Sequence, residues 1–394
     1  MASRHLTTLT VDTGIRAGQI AIDARHGRIV VVGQTDVNNA NTSGNGVAIV
    51  DMLSRRLIAR IMTNSMSIAL GLSERNALAY VVTGDPASTT SMLWAIDLRS
   101  GAVRRRIPLP ITIKDAIGTV GVDDAAGHLF VVSASSIIHD NLTMLSAQGA
   151  VLRTQPLPVT VAQLYIDPSQ HRVVVAPRTG NGVFDGTFNG AFFAFDTRSG
   201  TRVWSQTYAY PFVGITPDDA GHRLWTLTAG GRVSVVSIAT GHTVAMHPVY
   251  HAPADWTQGP VVVDGQRATA YVTWCAAHVC HLDVASLHAR ARRTITTLTT
   301  ARETLAGSLP DFTPFGVDVR RRQVLGYSIV DGRLSALDEQ TGRRVATLTG
   351  PLSIETTAVA QSASHLYIAA SVLTTHDSDT TGTTRTSAVT ILTR

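Results

Sequence analysis

The sequence lacks most of the features that announce a chemistry. Only two cysteines occur in 394 residues, which excludes a disulfide-built scaffold and a multi-cysteine metal cluster. No run approaches the ~18–20 apolar residues of a membrane helix. The opening MASRHLTTLT has no apolar segment after its basic residues, so it is not a secretory leader. If the protein is exported, its leader lies outside this sequence. The G-x-S-x-G, H-E-x-x-H and P-loop signatures are all missing. Periodic stretches of helix-forming residues are nearly absent as well, which leaves β structure.

Charge is sparse and one-sided in type. Charged residues make up 15% and hydrophobic residues 44%, so a large core is available and disorder is excluded. The formal net charge is +5, and Lys114 is the sole lysine among 33 basic residues. That bias is most simply an effect of codon composition. Arginines cluster at 104–106, 290–293 and 320–322 without interleaved aromatics. A nucleic-acid surface needs one continuous basic face. These clusters read instead as solvated strand edges, and no nucleic-acid partner is expected.

What the chain has in abundance is repetition. A short apolar run recurs as RIVVVG, LAYVVT, HLFVVS, RVVVAP, RLWTLT, TAYVTW, QVLGYS and HLYIAA. Each is followed by a second run, usually ending in Asp, such as VAIVD, LWAID, FFAFD and LSALD. Tight turns such as DLRSG, DTRSG and DEQTG come next, with Gly at a position needing positive φ. A more polar third run closes the unit, and a strand such as IAID or VGVD opens the next. Each unit is four antiparallel strands, A to D, at a spacing of roughly 42–54 residues, the range of propeller blades. The fold class expected is all-β, a single β-propeller domain over 1–394 with eight blades, or seven if one unit is degenerate.

The chain stops after the third strand of the eighth unit, at AVTILTR, while RHLTTLTV (4–11) precedes the first unit. That segment resembles the D strands RRTITTLT and RRVATLTG. The N-terminal strand is therefore expected to complete the last blade, leaving no open edge.

AYVVT (79–83), AYVTW (270–274) and the D-x-x-[ST]-G turns resemble the YVTN family of β-propeller repeats, common in bacterial surface and periplasmic proteins. The resemblance spans the whole chain and implies a fold and an extracytoplasmic setting, not an activity. The unit AFFAFDTRSGTRVW (191–204) is also similar to a quinoprotein repeat, in which a Trp after the turn packs between blades. Quinone-dependent dehydrogenases of that kind carry adjacent cysteines. This chain has none, so the quinoprotein relationship is distant and no cofactor is expected.

Both cysteines lie in WCAAHVCHLD (274–283). The repeat places Cys275 at the end of strand B and Cys280 on strand C, facing across a hairpin at disulfide distance. Two rivals exist. One is C-x4-C-H, a stretched relative of the haem motif; it needs His281 beside the thioethers, although adjacent strand residues point to opposite faces. The other is zinc on Cys275, Cys280 and His278, which lacks an evident fourth ligand. The expectation is a disulfide. Aligned on Asp283 as a turn aspartate, His281 falls where other units carry Ala95, Ala194 and Ala336, as a satisfied core histidine.

Two further patterns are weaker. GNGVFDG (180–186) joins two strands without a helix to hold an anion. HDSDTTG (376–382) opens like a calcium loop, but Ala388 stands where a bidentate carboxylate belongs. TARETLAG (300–307) is the one predicted helix, with Thr300 and Glu303 as a capping box and Gly307 as its stop.

The long connections are the B–C loops 34–46, 84–92, 178–190 and 371–387 and the D–A insertion 300–314. In a four-stranded blade these share one face, where binding residues are usually placed. The candidate ligand-binding residues are Asp36, Asn38, Asn39, Asn41, Asn181, Asp185, Asp377 and Asp379, an acidic and amide-rich set suited to sugars or polar main chain. At the central channel mouth the A-strand starts offer Lys114, Asp115, Tyr210, Asp255, Trp256, Asp311 and Glu355, with no recognisable triad or metal set. The expected function is a non-catalytic, extracytoplasmic, monomeric propeller binding a protein, glycan or surface polymer. The alternative is an enzyme at the channel mouth, lactonase- or lyase-like, or less readily quinoprotein dehydrogenase-like.

Overall fold

A computed structural model of the chain describes residues 7–35, 44–63, 65, 67–85, 90–113, 117–134, 140–157, 161–177, 191–208, 212–228, 231–249, 261–276, 279–288, 293–298, 300–304, 307–310, 312–328, 333–348, 353–361, 366–376 and 384–393. These hold strands and no helix. β1 (Thr7–Asp12) precedes a meander of β2 (Ile15–Asp23), β3 (Arg28–Thr35), β4 (Asn45–Asp51) and β5 (Leu57–Met62). The phrase recurs as β6 (Ser67–Ser73), β7 (Leu78–Gly84), β8 (Ser91–Asp97) and β9 (Val103–Leu109). It continues with β10 (Ile117–Asp123), β11 (His128–Ala134), β12 (Asp140–Ser146) and β13 (Val151–Leu157). Next come β14 (Val161–Asp167), β15 (Arg172–Pro177), β16 (Ala191–Asp196) and β17 (Arg202–Thr207), then β18 (Phe212–Asp218), β19 (Arg223–Thr228), β20 (Arg232–Ser237) and β21 (Thr243–Pro248).

The sixth set is β22 (Val262–Asp264), β23 (Thr269–Ala276), β24 (Val279–Ser286) and β25 (Arg293–Leu298). A pair, β26 (Thr300–Thr304) and β27 (Gly307–Pro310), stands outside the phrase before β28 (Thr313–Asp318), β29 (Gln323–Tyr327), β30 (Leu334–Asp338) and β31 (Arg344–Leu348). The chain ends with β32 (Ser353–Gln361), β33 (Leu366–His376) and β34 (Thr384–Thr393). Each meander forms its own antiparallel sheet, except that a parallel pairing of β10 with β6 joins two of them into eight strands. The final three strands are completed by β1, in the order β1-β34-β33-β32, with Thr7 opposite Thr393 and Asp12 opposite Ala388. The N-terminal strand thus fills the place expected of it.

The chain divides into two compact units, one of 1–168, 197–201 and 352–394, the other of 169–196 and 202–351. Within them the second strands β3, β7, β11, β15, β19, β23 and β29 are built mostly from buried residues. In β3, Ile29 and Val31 join one core cluster while Val30 and Val32 join the next. In β7, Ala79 and Val81 face one way and Tyr80 and Val82 the other. A strand covered on both sides has no reason to alternate polar with apolar, so it reads as an unbroken apolar run.

Turns repeat as faithfully as strands. Asp23, Asp123, Asp218, Asp264 and Asp318 end their A strands and are buried. Each carboxylate accepts a turn N–H, from His26, Ala126, Gly221, Arg267 and Arg321 respectively. Four residues on, the chain passes through positive φ at Gly27, Gly127, His222, Ala268 and Arg322. Ser73 replaces the aspartate in β6, and Asp124 of the following set supplies the carboxylate, hydrogen-bonding the Ser73 hydroxyl and the Arg75 N–H. The C–D turns use Asp51, Asp97 and Asp338 in the same way.

Outer strands carry a second regularity. The C–D register slips by one residue at the second position of β5, β9, β13, β17, β21 and β31 and at the third position of β25. Such a bulge twists an edge away from further pairing. At the far end of β9, β13 and β21, Pro108, Pro156 and Pro248 occupy equivalent places, opposite Met92, Asn141 and Arg232. Proline withholds a ladder donor there.

The β6–β10 junction depends on Gly71. A Cβ at that position would lie 2.2 Å from the Val120 carbonyl oxygen and 2.9 Å from Val120 Cβ. Gly71→Ala should therefore destabilise the protein by roughly 1–3 kcal/mol through backbone displacement, measured by urea denaturation; an unchanged midpoint would deny the close approach. Deleting residues 1–12 removes β1 and bares β34. A loss on the order of 3 kcal/mol or more, with aggregation through the exposed edge, is expected in thermal melts followed by light scattering, and an unaltered melt would remove the closing role of β1.

Candidate functional site

Antiparallel connectivity places the A–B and C–D turns at one end of every sheet and the B–C loops and A-strand starts at the other. At the second end most of the sequence candidates lie outside the described residues: Asp36, Asn38, Asn39, Asn41, Asn181, Asp185, Asp377 and Asp379 in the loops, and Lys114, Asp115, Tyr210, Asp255, Trp256 and Asp311 at the mouth. His278 lies outside them too. Glu355 alone has a described backbone. It sits in β32 at a bulge, where Ile354 opposes Val372 and Thr357 opposes Ala370. Similar slips occur near the starts of β2, β18 and β28. In each of these four sets the A strand is irregular at the end where the candidates belong, and bulges are over-represented beside binding and active sites.

The sixth set shows this end in most detail. Cys275 and Cys280 are bonded to each other and sit directly opposite in the β23–β24 register, with Ala276 opposite Val279. The connection is thus two residues, tighter than the four-residue loop read from sequence. Both cysteines are buried with Phe312, Leu282 and Val324 in one core cluster. Trp274 and His281, opposite each other one step away, therefore occupy the other face of the hairpin, with ring centroids 4.6 Å apart and stacked. The thiols are consumed by the bridge and His281 faces away from it, so neither haem attachment nor a zinc site forms here.

Two sequence readings need correction at this tip. Thr269 opposes Ser286 as Leu78 opposes Asp97 and Arg172 opposes Asp196, so Ser286 and not Asp283 holds the turn position. Val284 then aligns with Ala95, Ala194 and Ala336, while Asp283 lies inside the strand, where Trp94 and Phe193 stand elsewhere. Asp283 is buried and accepts a hydrogen bond from Trp274 Nε1 at 2.9 Å. His281 is not a satisfied core histidine, because its Nδ1 is buried without a hydrogen-bond partner.

The second correction concerns residues 300–307, which form no helix. β26 and β27 pair as a hairpin, Thr300 opposite Pro310 and Thr304 opposite Gly307, and β27 packs against β23 and β24. An eight-residue helix is marginal without a partner face, and the β-branched threonines favour the extended chain. The insertion therefore builds up the disulfide-clamped tip.

At the opposite end of the same unit the titratable groups are structural. The buried Glu339 accepts from Tyr271 Oη at 2.9 Å and from Arg322 Nε, with Arg267 Nε at 3.7 Å. Burial first, and then the Glu339 charge, pushes the Tyr271 hydroxyl well above its ordinary value. Trp204, the residue singled out by its quinoprotein-like repeat, donates from Nε1 to the Ile238 carbonyl at 2.9 Å. It thereby locks one sheet to the next turn, as the resemblance implied.

A family model described as outer membrane protein assembly factor BamB matches residues 117–348, more than half of the chain. The chain belongs to this BamB family. Solved structures agree on the architecture. BamB from Moraxella catarrhalis is 14% identical, with 98% of this chain and 96% of that one covered at a TM-score of 0.58. Quinohemoprotein alcohol dehydrogenase from Comamonas testosteroni is 11% identical, covering 98% and 76% at 0.64. Sqt1 from Saccharomyces cerevisiae is 9% identical, covering 100% and 99% at 0.63. No curated protein matches the chain in sequence. At these identities the likeness shows the fold alone, a β-propeller. A quinone cofactor does not fit the cysteines of this BamB-family chain, because both are spent on a cross-strand bridge and no adjacent pair remains.

Removing the bridge tests its part in holding the tip. Cys275→Ala with Cys280→Ala should cost about 2 kcal/mol in the chain-entropy account of so short a loop, read as a lower melting temperature under oxidising conditions. The parent treated with reductant while unfolded should match the variant after refolding.

Proposed function

We propose that the protein is a non-catalytic, extracytoplasmic binding propeller whose B–C and D–A loops engage a partner protein, or a glycan or surface polymer. The observation that carries this reading is the β26–β27 hairpin packed on the disulfide-clamped β23–β24 tip. An insertion there, packed on a covalently clipped hairpin, elaborates the loop end, and loops on a rigid scaffold are where recognition is usually placed. Membership of a family described as an assembly factor supports a protein partner. The disulfide supports an oxidising compartment, and no helix among the described residues is long and apolar enough to cross a membrane.

The finer readings belong to the same proposal: one propeller domain over 1–394 with eight blades, YVTN-type repeats on the strength of AYVVT and AYVTW, and a monomer. The amide and acidic loop residues at 36–41, 181–185 and 377–379 are the contacts proposed. The competing reading, an enzyme at the channel mouth, rests on the sequence positions of Lys114, Asp115, Tyr210, Asp255, Trp256, Asp311 and Glu355 at the expected starts of A strands.

Shortening the loops 36–43, 178–190 and 377–383 to tight turns, and separately excising 300–310, separates the two. Loss of binding on protein and glycan arrays with unchanged melting supports the loop face. If every shortened variant melts normally and keeps all interactions of the parent, the loop face is not the functional one. Turnover of lactone or uronate substrates abolished by Asp255→Asn would establish the enzymatic reading instead.

A further inference from the structure

β9 differs from the other outer strands. The bulge residue is Ile58 in β5, Leu152 in β13, Val203 in β17, Val244 in β21 and Val345 in β31, and the last four are 44–54% exposed. In β9 the bulge residue is Arg104, followed by Arg105 and Arg106, all three exposed on the end strand of the eight-stranded sheet. The net charge this strand presents is not +3, because Arg104 reaches back to Asp97, with Nη2 at 2.7 Å and Nε at 3.2 Å from Oδ2. That contact holds the Asp97 carboxyl well below the usual carboxylate range.

Arg105 and Arg106 are left, and no carboxylate among the described residues forms an ion pair with either. Arg106 opposes Trp94, and its guanidinium carbon lies 4.4 Å from the indole centroid. A cation seated on an indole face is held in place while its N–H groups stay available. Arg105 opposes Ala95, which in turn opposes Tyr80. Consecutive strand residues point to opposite faces, so the two guanidinium groups straddle the edge of β9, one on each face.

The backbone between them is only briefly open. The bulge closes it at Arg104 and Pro108 closes it on the other side. A long strand cannot add there, which argues against growth of the sheet by a second copy. A duplex nucleic acid presents its phosphates to one basic face, which two opposed arginines do not make. An extended peptide does match: its side chains also alternate, so neighbouring acidic residues send one carboxylate to each face, within reach of one arginine each.

We propose that β9 docks a short extended acidic segment of a partner protein, with Arg105 and Arg106 gripping two adjacent carboxylates from opposite faces of the strand. The surface is separate from the loop face and does not depend on it.

The test measures binding of a fluorescent synthetic peptide with a central Glu–Glu pair flanked by threonine and valine. Its Gln–Gln counterpart, duplex DNA and a sulfated glycan serve as comparators, at low and physiological salt. The parent should bind the Glu–Glu peptide, and R105A/R106A should weaken it roughly tenfold or more. The double variant should still unfold in one cooperative transition, its melting temperature lowered only by loss of the contact between the exposed Arg106 and Trp94. The single variants should each lose part of the affinity, and the Gln–Gln peptide should bind the parent as poorly as the acidic peptide binds the double variant. The proposal is overturned if the parent ignores the acidic peptide, if R105A/R106A retains its affinity, or if DNA or the glycan binds more tightly through the same two arginines.

Discussion

The architecture depends on how closely one sheet can lie against the next, and the turns set that distance. At the C–D turns the residue in the left-handed conformation is usually glycine, and it touches the outer or third strand of the preceding set. A Cβ at Gly101 would stand 2.2 Å from Ala59 Cβ, and one at Gly241 would stand 2.6 Å from the Trp204 ring. Positive φ and missing side-chain volume are thus required at the same residue for two independent reasons. Four residues before Gly101, Asp97 fixes the turn by accepting the Arg99 and Ser100 N–H groups, so the sheet-to-sheet spacing is written into a five-residue phrase. That is why D-x-x-[ST]-G recurs: a set with a looser turn could not seat on its neighbour.

At the A–B turns, where the buried aspartate is missing, the neighbour compensates. Ser73 cannot supply the carboxylate its turn needs, and Asp124 from the next set does so while β6 and β10 pair in parallel. Gly71 permits that approach. The same logic links Arg28, whose Nε donates to the Leu98 carbonyl, and His128, whose Nδ1 lies 2.8 Å from the Thr197 carbonyl. Both occupy the first position of their B strand, and both bond the C–D turn of the following set. Unpaired turn carbonyls are costly when covered, so each set closes only when its neighbour is present.

The strand phrase was readable in the sequence because its signals are local: apolar runs of fixed length, Asp before a turn, Gly at a fixed offset. The pairing of β1 with β34 was readable because RHLTTLTV repeats the outer-strand composition. Failures came where a local signal belonged to something else. Thr300 and Glu303 have the spacing of a capping box, but packing against β23 and β24 decided for a hairpin. Asp283 imitates the turn aspartate three residues too early, and only the register shows that Ser286 closes the strand. The mid-strand carboxylate of Asp283 is held by Trp274, which lies on the neighbouring strand beside Cys275 and which no pattern in strand C would announce. The outer-strand bulges were also invisible, since a bulge adds a residue without changing composition.

Those bulges bear on where such a protein can meet others. A propeller made of four-stranded sheets presents many outer edges, each a template for unwanted pairing. Here each bulged outer strand is kinked near its start, and three are further blocked by proline near their end. Backbone recognition along the outer strands is therefore suppressed, and recognition has to run through side chains or through the loop end. The loop end is elaborated by an extra hairpin and stiffened by the single disulfide, whereas the outer strands mostly expose isolated valine and leucine side chains at the bulges. β9 breaks that pattern by placing Arg104 where its equivalents place an apolar residue, and it anchors Arg104 on Asp97 and Arg106 on Trp94. A side chain held in place by its own neighbours loses less freedom on binding than a free one. An edge closed to strands can in this way stay open to charge.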